Sequence, residues 1–134
     1  MSGLTIVGAL LDDHAPFGVA VPASNFDLWK LPQGAGLPNV VGTRVSRVEK
    51  QFLSAQTMRL VTERIQLTVR ANSGEEREAI TATIRDACRE KTGTIAGFTN
   101  VAALLAGDGP DFEVEDEAIY IGSTDVRVTF VEPA

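Results

Sequence analysis

The residues able to do chemistry in this chain of 134 residues are few and scattered. Its one histidine, His14, stands beside Asp12 and Asp13, and its one cysteine is Cys88. A catalytic nucleophile needs a base within reach and a third group to orient that base. No serine or cysteine near His14 is placed for this, so the histidine heads no triad. Cys88 falls on the apolar side of a predicted helix, where a thiol behaves as a small buried hydrophobe. One cysteine forms no internal disulfide and argues against a zinc site. Gly34, Ala35 and Gly36 precede no helix and complete no dinucleotide or phosphate fingerprint; they are turn chemistry. The aromatic residues lack the interleaved basic side chains of a single-strand stacking platform. The expectation is therefore no catalytic residue, no bound cofactor and no metal.

Charge sharpens this. The formal net charge is −6. Residues 1–67 hold six basic and five acidic side chains, whereas residues 68–134 hold six basic and thirteen acidic. Six of those thirteen, Asp108, Asp111, Glu113, Glu115, Asp116 and Glu117, follow Gly107 within ten residues. A surface built to hold nucleic-acid phosphate would carry the opposite sign. The spacing also lacks the glycine register of a calcium loop. A run of like charge in this setting reads as a solvated loop.

The elements that must position these groups are legible in part. Val61, Ile65, Leu67 and Val69 alternate with Thr62, Arg64, Gln66, Thr68 and Arg70, the period of two of a half-buried strand, with Glu63 the one break in the apolar row. Residues Ala71 to Gly74 then turn the chain. Ser73 followed by Glu76 predicts a reciprocal capping box. The helix that starts there, Gly74 to Lys91, keeps Ile80, Ile84, Ala87 and Cys88 on one stripe and is closed by Gly93. Glu75, Glu76 and Glu78 at its start and Arg85, Arg89 and Lys91 at its end complement the helix dipole.

Elsewhere, Leu4 to Leu11 reads as a short helix ended by Asp12, Asp13 and Pro16. Gly18 to Pro38 reads as a long shaped loop in which Phe26, Leu28, Trp29 and Leu31 argue against disorder. Asn39 to Val48 reads as a strand, Glu49 to Met58 as a polar connection, Phe98 to Leu105 as a strand with some helical character, and Ile119 to Val131 as a long terminal strand. At this length and with 44% hydrophobic residues, residues 1–134 are expected to form one domain. Its apolar runs are too short to span a membrane, and Leu4 to Leu11 lacks the basic flank of a signal peptide, so the chain reads as soluble and unexported. The expected fold is α+β: a small antiparallel or mixed sheet of about four strands, with one long helix and the short N-terminal helix packed on it. In it the strand Leu60 to Ala71 pairs antiparallel with Ile119 to Val131.

The segments LPQGAGLPNVVGTRVS (Leu31 to Ser46), RIQLTVRANSGEEREAITATIRDA (Arg64 to Ala87) and GDGPDFEVEDEAIYIGSTDVRVTF (Gly107 to Phe130), in that order, resemble the tail-completion or tail-terminator family of long-tailed bacteriophages and prophages. Each motif alone is modest; the succession carries the likeness. Gly109, Pro110 and the stretch from Asp125 to Val128 stand where the family has its glycine and proline before a variable loop and its final strand. Gly18 to Lys30 departs from the pattern in being longer and more aromatic. The resemblance implies a structural virion protein: a homohexameric ring that ends the tail tube and offers the surface on which the head docks. It also implies a virion location at the head–tail junction, reached from the host cytoplasm. The implied partners are further copies of the chain, the tail tube protein and a head-completion or connector protein, with DNA passing through unread.

A ring needs two different patches per subunit. Phe26, Trp29 and Leu31 offer aromatic and apolar anchors. The acidic loop, with Asp111, Glu113 and Glu115, is set either to meet Arg44, Arg47 and Lys50 of a neighbour or to line the bore, where it would repel DNA. Two other readings stand beside this one. One is a head–tail connector or head-completion protein of the same neck region, and the other a small cytosolic enzyme or ligand-binding domain.

Overall fold

The alternating run that dominates the sequence becomes the middle of a sheet. A computed structural model of the chain describes residues 2–29, 36–50, 58–114 and 119–133. In chain order these form helix α1 (Ser2–Asp12), helix α2 (Ala15–Ala20), a short 3-10 turn (Ala23–Asn25), strands β1 (Phe26–Leu28), β2 (Asn39–Lys50) and β3 (Met58–Ala71), helix α3 (Gly74–Cys88), and strands β4 (Lys91–Ile95), β5 (Phe98–Asp108), β6 (Phe112–Val114) and β7 (Ile119–Pro133). The strands make one sheet in the order β1-β2-β3-β7-β5-β4, with β6 also paired to β7. β1 runs parallel to β2 and every other pairing is antiparallel.

Period two explains the central pair. With Ile65 opposite Val126, and Val61 opposite Phe130, one face of β3 and β7 gathers Val61, Ile65, Leu67, Val69, Val126, Val128 and Phe130, all fully buried. α1 and α3 lie on that face. Leu4, Ile6, Val7 and Leu11 from α1 and Ile80, Ile84, Ala87 and Cys88 from α3 complete the core. Burial of each aliphatic side chain is worth roughly 1.5–3 kcal/mol. The antiparallel β3–β7 pairing and the helix over it are as the sequence predicts.

The expected α+β architecture with about four strands is overturned. Among the described residues the fold is mostly β, a curled mixed sheet of seven strands carrying three small helices, and α3 is shorter than the Gly74 to Lys91 helix the pattern suggests. The helix stops because Arg89 is extended (ψ 120°) and Glu90 turns left-handed (φ 50°). Lys91–Ile95 then forms β4, which is nearly all exposed and so shows no alternation to read. Ala96 and Gly97, both at positive φ (52° and 83°), make the two-residue turn back into β5. The expected loop Gly18 to Pro38 holds part of α2, the 3-10 turn and β1. Ala102, Ala103 and Ala106 lie in strand β5, settling an ambiguity that propensity left open. β2 and β3 extend to Lys50 and from Met58, into the expected polar connection; the rest of it lies outside the described residues.

At the helix start, Ser73 Oγ accepts from the Glu76 N–H at 3.1 Å as expected. The return arm differs. Glu76 Oε1 accepts from the Asn72 N–H (2.9 Å) and Asn72 Nδ2 (3.2 Å), one residue earlier than the predicted reciprocal bond to Ser73.

Candidate functional site

Glu63, the break in the apolar row, points into the core side of β3 and is fully buried. A buried carboxylate must be paired and hydrogen-bonded to be tolerated. Arg47 Nη1 donates to Glu63 Oε2 at 3.1 Å, Arg44 Nη1 lies 3.8 Å from Oε1, and the Gly3 N–H in the first turn of α1 donates to Oε1 at 3.4 Å. A Cβ at Gly3 would stand 3.0 Å from Glu63 Oε1, so glycine is what lets the helix start approach. The network continues outward. Arg47 also binds Glu132 and donates to Glu49 (Nε, 3.0 Å), and Arg59 Nε donates to Glu132 at 2.8 Å. Burial alone would lower the Arg47 pKa, but its bonds to Glu49 and Glu132 and the charges of Glu132 and Glu63 raise it. For Glu132 burial would raise the pKa, and the bonds and charges of Arg59 and Arg47 outweigh it, holding the carboxyl below the usual range.

The acidic segment is likewise engaged within the subunit. Asp108 pairs with Arg85, and Asp111 Oδ2 lies 3.5 Å from Arg77 Nη2, both cations belonging to α3. Glu113 is exposed on β6. Arg44, Arg47, Asp108 and Asp111, which the sequence offers to neighbouring copies, are thus each bound to a partner in their own chain. Leu31 and Glu115 lie outside the described residues.

Phe26 and Trp29 part company although they are close in sequence. Phe26 turns inward, edge-on to Phe17 with ring centroids 5.3 Å apart. Trp29 is 47% exposed, held at the end of β1 by its N–H donating to the Gly42 carbonyl at 2.7 Å, with its backbone at φ 78°.

A larger surface is not evident from the sequence. The helices cover only one face of the sheet. The other face is built from the polar half of each alternation, Thr62, Arg64, Gln66, Thr68 and Arg70 on β3 facing Thr129, Arg127, Asp125, Ser123 and Ile121 on β7. Val48 on β2 (64% exposed), Leu104 on β5 (44%) and Phe112 on β6 (53%) flank these rows. Arg64 Nε is bound to Asp125 Oδ2 at 2.6 Å, while Arg70 and Arg127 make no ion pair among the described residues. The signal was in plain view: a polar row beside an apolar row reads as solvent-facing, and only the sheet's breadth reveals a continuous surface. Among the described residues no group of three or more His, Cys, Asp or Glu gathers as a metal site would.

The fold has a known counterpart. The chain is similar to a protein of the virion of a native gene transfer agent particle, with a TM-score of 0.69 at 14% identity, over 95% of this chain and 92% of that one. Near-complete coverage on both sides means that the whole sheet and its helices correspond, not one motif. At that identity the likeness is one of fold. No family model and no curated protein matches the sequence.

Proposed function

We propose that this chain is a structural protein of a virion, and that within it the chain acts as a tail terminator. On this reading it assembles as a homohexameric ring that ends the tail tube and presents the docking surface for the head. The observation that carries the reading is the fold shared end to end with a protein of a gene transfer agent virion. The ordered succession of the three segments from Leu31 to Phe130 supports the finer assignment. So does a subunit whose buried carboxylate, Glu63, is paired within the chain while one sheet face and Trp29 stay exposed, as a part that works by shape requires. The role needs no catalysis and no cofactor. Its partners are other copies, the tail tube protein and a head-completion or connector protein, with DNA passing through without sequence recognition.

Deleting the gene in its own virion system tests this, with particles viewed by electron microscopy. Tails of uncontrolled length beside unjoined heads are expected. Finished tails of normal length beside heads that fail to join would instead favour a connector in the neck, and intact particles would sink both assignments.

A further inference from the structure

The two broad faces of the subunit carry opposite charge. On the open sheet face three arginines sit at two levels. Arg64 and Arg127 are directly opposite each other beside Leu104, and Arg70 lies six residues along β3 beside Ile121 and Phe112. At about 3.3 Å per residue those levels are roughly 20 Å apart. With Lys50 at the far end of β2, these arginines make four cations on the face against a single anion, Asp125, in a chain of net charge −6. Like charges placed directly across a strand pair are destabilising; Asp125, bound to Arg64, offsets that for one of the two and leaves Arg127 without an ion pair among the described residues.

On the far side of the molecule, the outward face of α3 exposes Glu75, Glu78, Ala79, Ala82 and Asp86. Of the helix's own cations, Arg77 lies 3.5 Å from Asp111 and also 4.0 Å from Glu78 Oε1, while Arg85 turns toward Asp108, so Glu75 and Asp86 are left without a cation from α3. From Glu75 to Asp86 the stripe runs roughly 16 Å at 1.5 Å per residue, with two alanines between the acidic ends. Carboxylates at both ends and small side chains in the middle match cations at both ends and a middle of Gln66, Thr68 and Ser123, in which the one anion, Asp125, is tied to Arg64. Long guanidinium arms span the remaining difference in length.

Resting on the ring reading, we propose that the open sheet face of one copy seats on the outward face of α3 of the next. Such a contact joins two different patches, so repeating it closes a ring or runs on as a filament, and the ring is the bounded solution. Apolar Leu104 and Phe112 lie beside the two charged levels and supply the desolvated contact that a polyanion backbone would not need.

Charge reversal tests the pairing. The sheet-face variant carries Arg70→Glu and Arg127→Glu, the helix-face variant Glu78→Arg and Asp86→Arg; circular dichroism and thermal melts establish that both fold. Sedimentation across a concentration series should show each variant assembling at least about tenfold more weakly than the wild type, as like charges brought together require. Mixing the two variants in equal amounts should restore assembly, because alternating copies recover a matched contact on both sides. Placing all four substitutions in one chain should restore it too. Wild-type assembly with unchanged assembly in both variants would overturn the pairing and leave the ring reading standing. Loss in each variant without rescue by mixture or combination would also overturn the pairing. A wild type monomeric at every concentration would overturn pairing and ring together. If the sheet-face variant assembles normally but loses salt-sensitive retention of double-stranded DNA shown by the wild type, the face serves a polyanion and the pairing is wrong.

Discussion

Glu63 shows how a single residue that breaks a pattern can organise its surroundings. Buried among aliphatic side chains, it is accommodated by Arg47, Arg44 and the start of α1. Removing one partner of a buried ion pair costs more than replacing both. Arg47→Met should therefore lose about 3–5 kcal/mol of unfolding free energy, and Arg47→Met with Glu63→Leu should recover much of that loss in urea titrations. Equal losses in the single and double variants would show that Glu63 does not depend on Arg47. Glu132 gives the pH dependence. Burial would raise its pKa, but Arg59 and Arg47 hold it below the ordinary value, so its contribution is fully present above the unfolded-state value of about 4.3 and is lost as pH falls through the folded one. Thermal melts below about pH 4.3 should show Glu132→Gln losing less stability on further acidification than the wild type. Burial, partly offset by the charge of Lys91, pushes the Cys88 thiol up to about 12. A thiol reagent at mildly alkaline pH should leave it unmodified in the native protein and label it in denaturant.

Among the elements, α3 is the one whose start and packing are both tied to named contacts. Ser73→Ala should cost roughly 0.5–2 kcal/mol, and its effect should be less than additive with Glu76→Ala, since both side chains fix the same turn. Ile84→Ala should cost about 2–5 kcal/mol at a position with no exposure. A denaturation midpoint unmoved by Ile84→Ala would take α3 out of the core. These elements were legible because one face of each is buried and the other wet, so hydrophobicity alternates with the period of the backbone. β3, β7 and the cap of α3 meet that condition. β4 does not, because Lys91–Ile95 is exposed along nearly its whole length and its only marker is the Ala96-Gly97 turn. β1 and β6 have three residues each, too few for any period to emerge. The candidate surface was hidden for another reason. Arg64, Arg70 and Arg127 each look like ordinary solvent-facing residues, and only strand order places them on one face.

For the whole molecule, Trp29 tests whether assembly uses β1's end of the sheet. Its φ of 78° is strained for a bulky side chain, so Trp29→Gly relieves the backbone while removing the indole. Melts should show stability no lower than the wild type, and sedimentation should show assembly weakened about tenfold or more if the indole anchors a neighbour. A marked loss of stability would place the indole in the fold instead. The position of β7 has a different consequence, one of time. This strand lies between β3 and both β5 and β6, yet residues 119–133 follow everything they join. The apolar rows of β3 and β5 therefore stay uncovered on one side until that strand has been synthesised, and pairing Val61 with Phe130 must close a long loop before it brings any gain. Refolding should accordingly be slow for the chain's size, in the range of milliseconds to seconds by stopped-flow fluorescence. On the ribosome the emerging chain would be at its most adhesive just before β7 arrives.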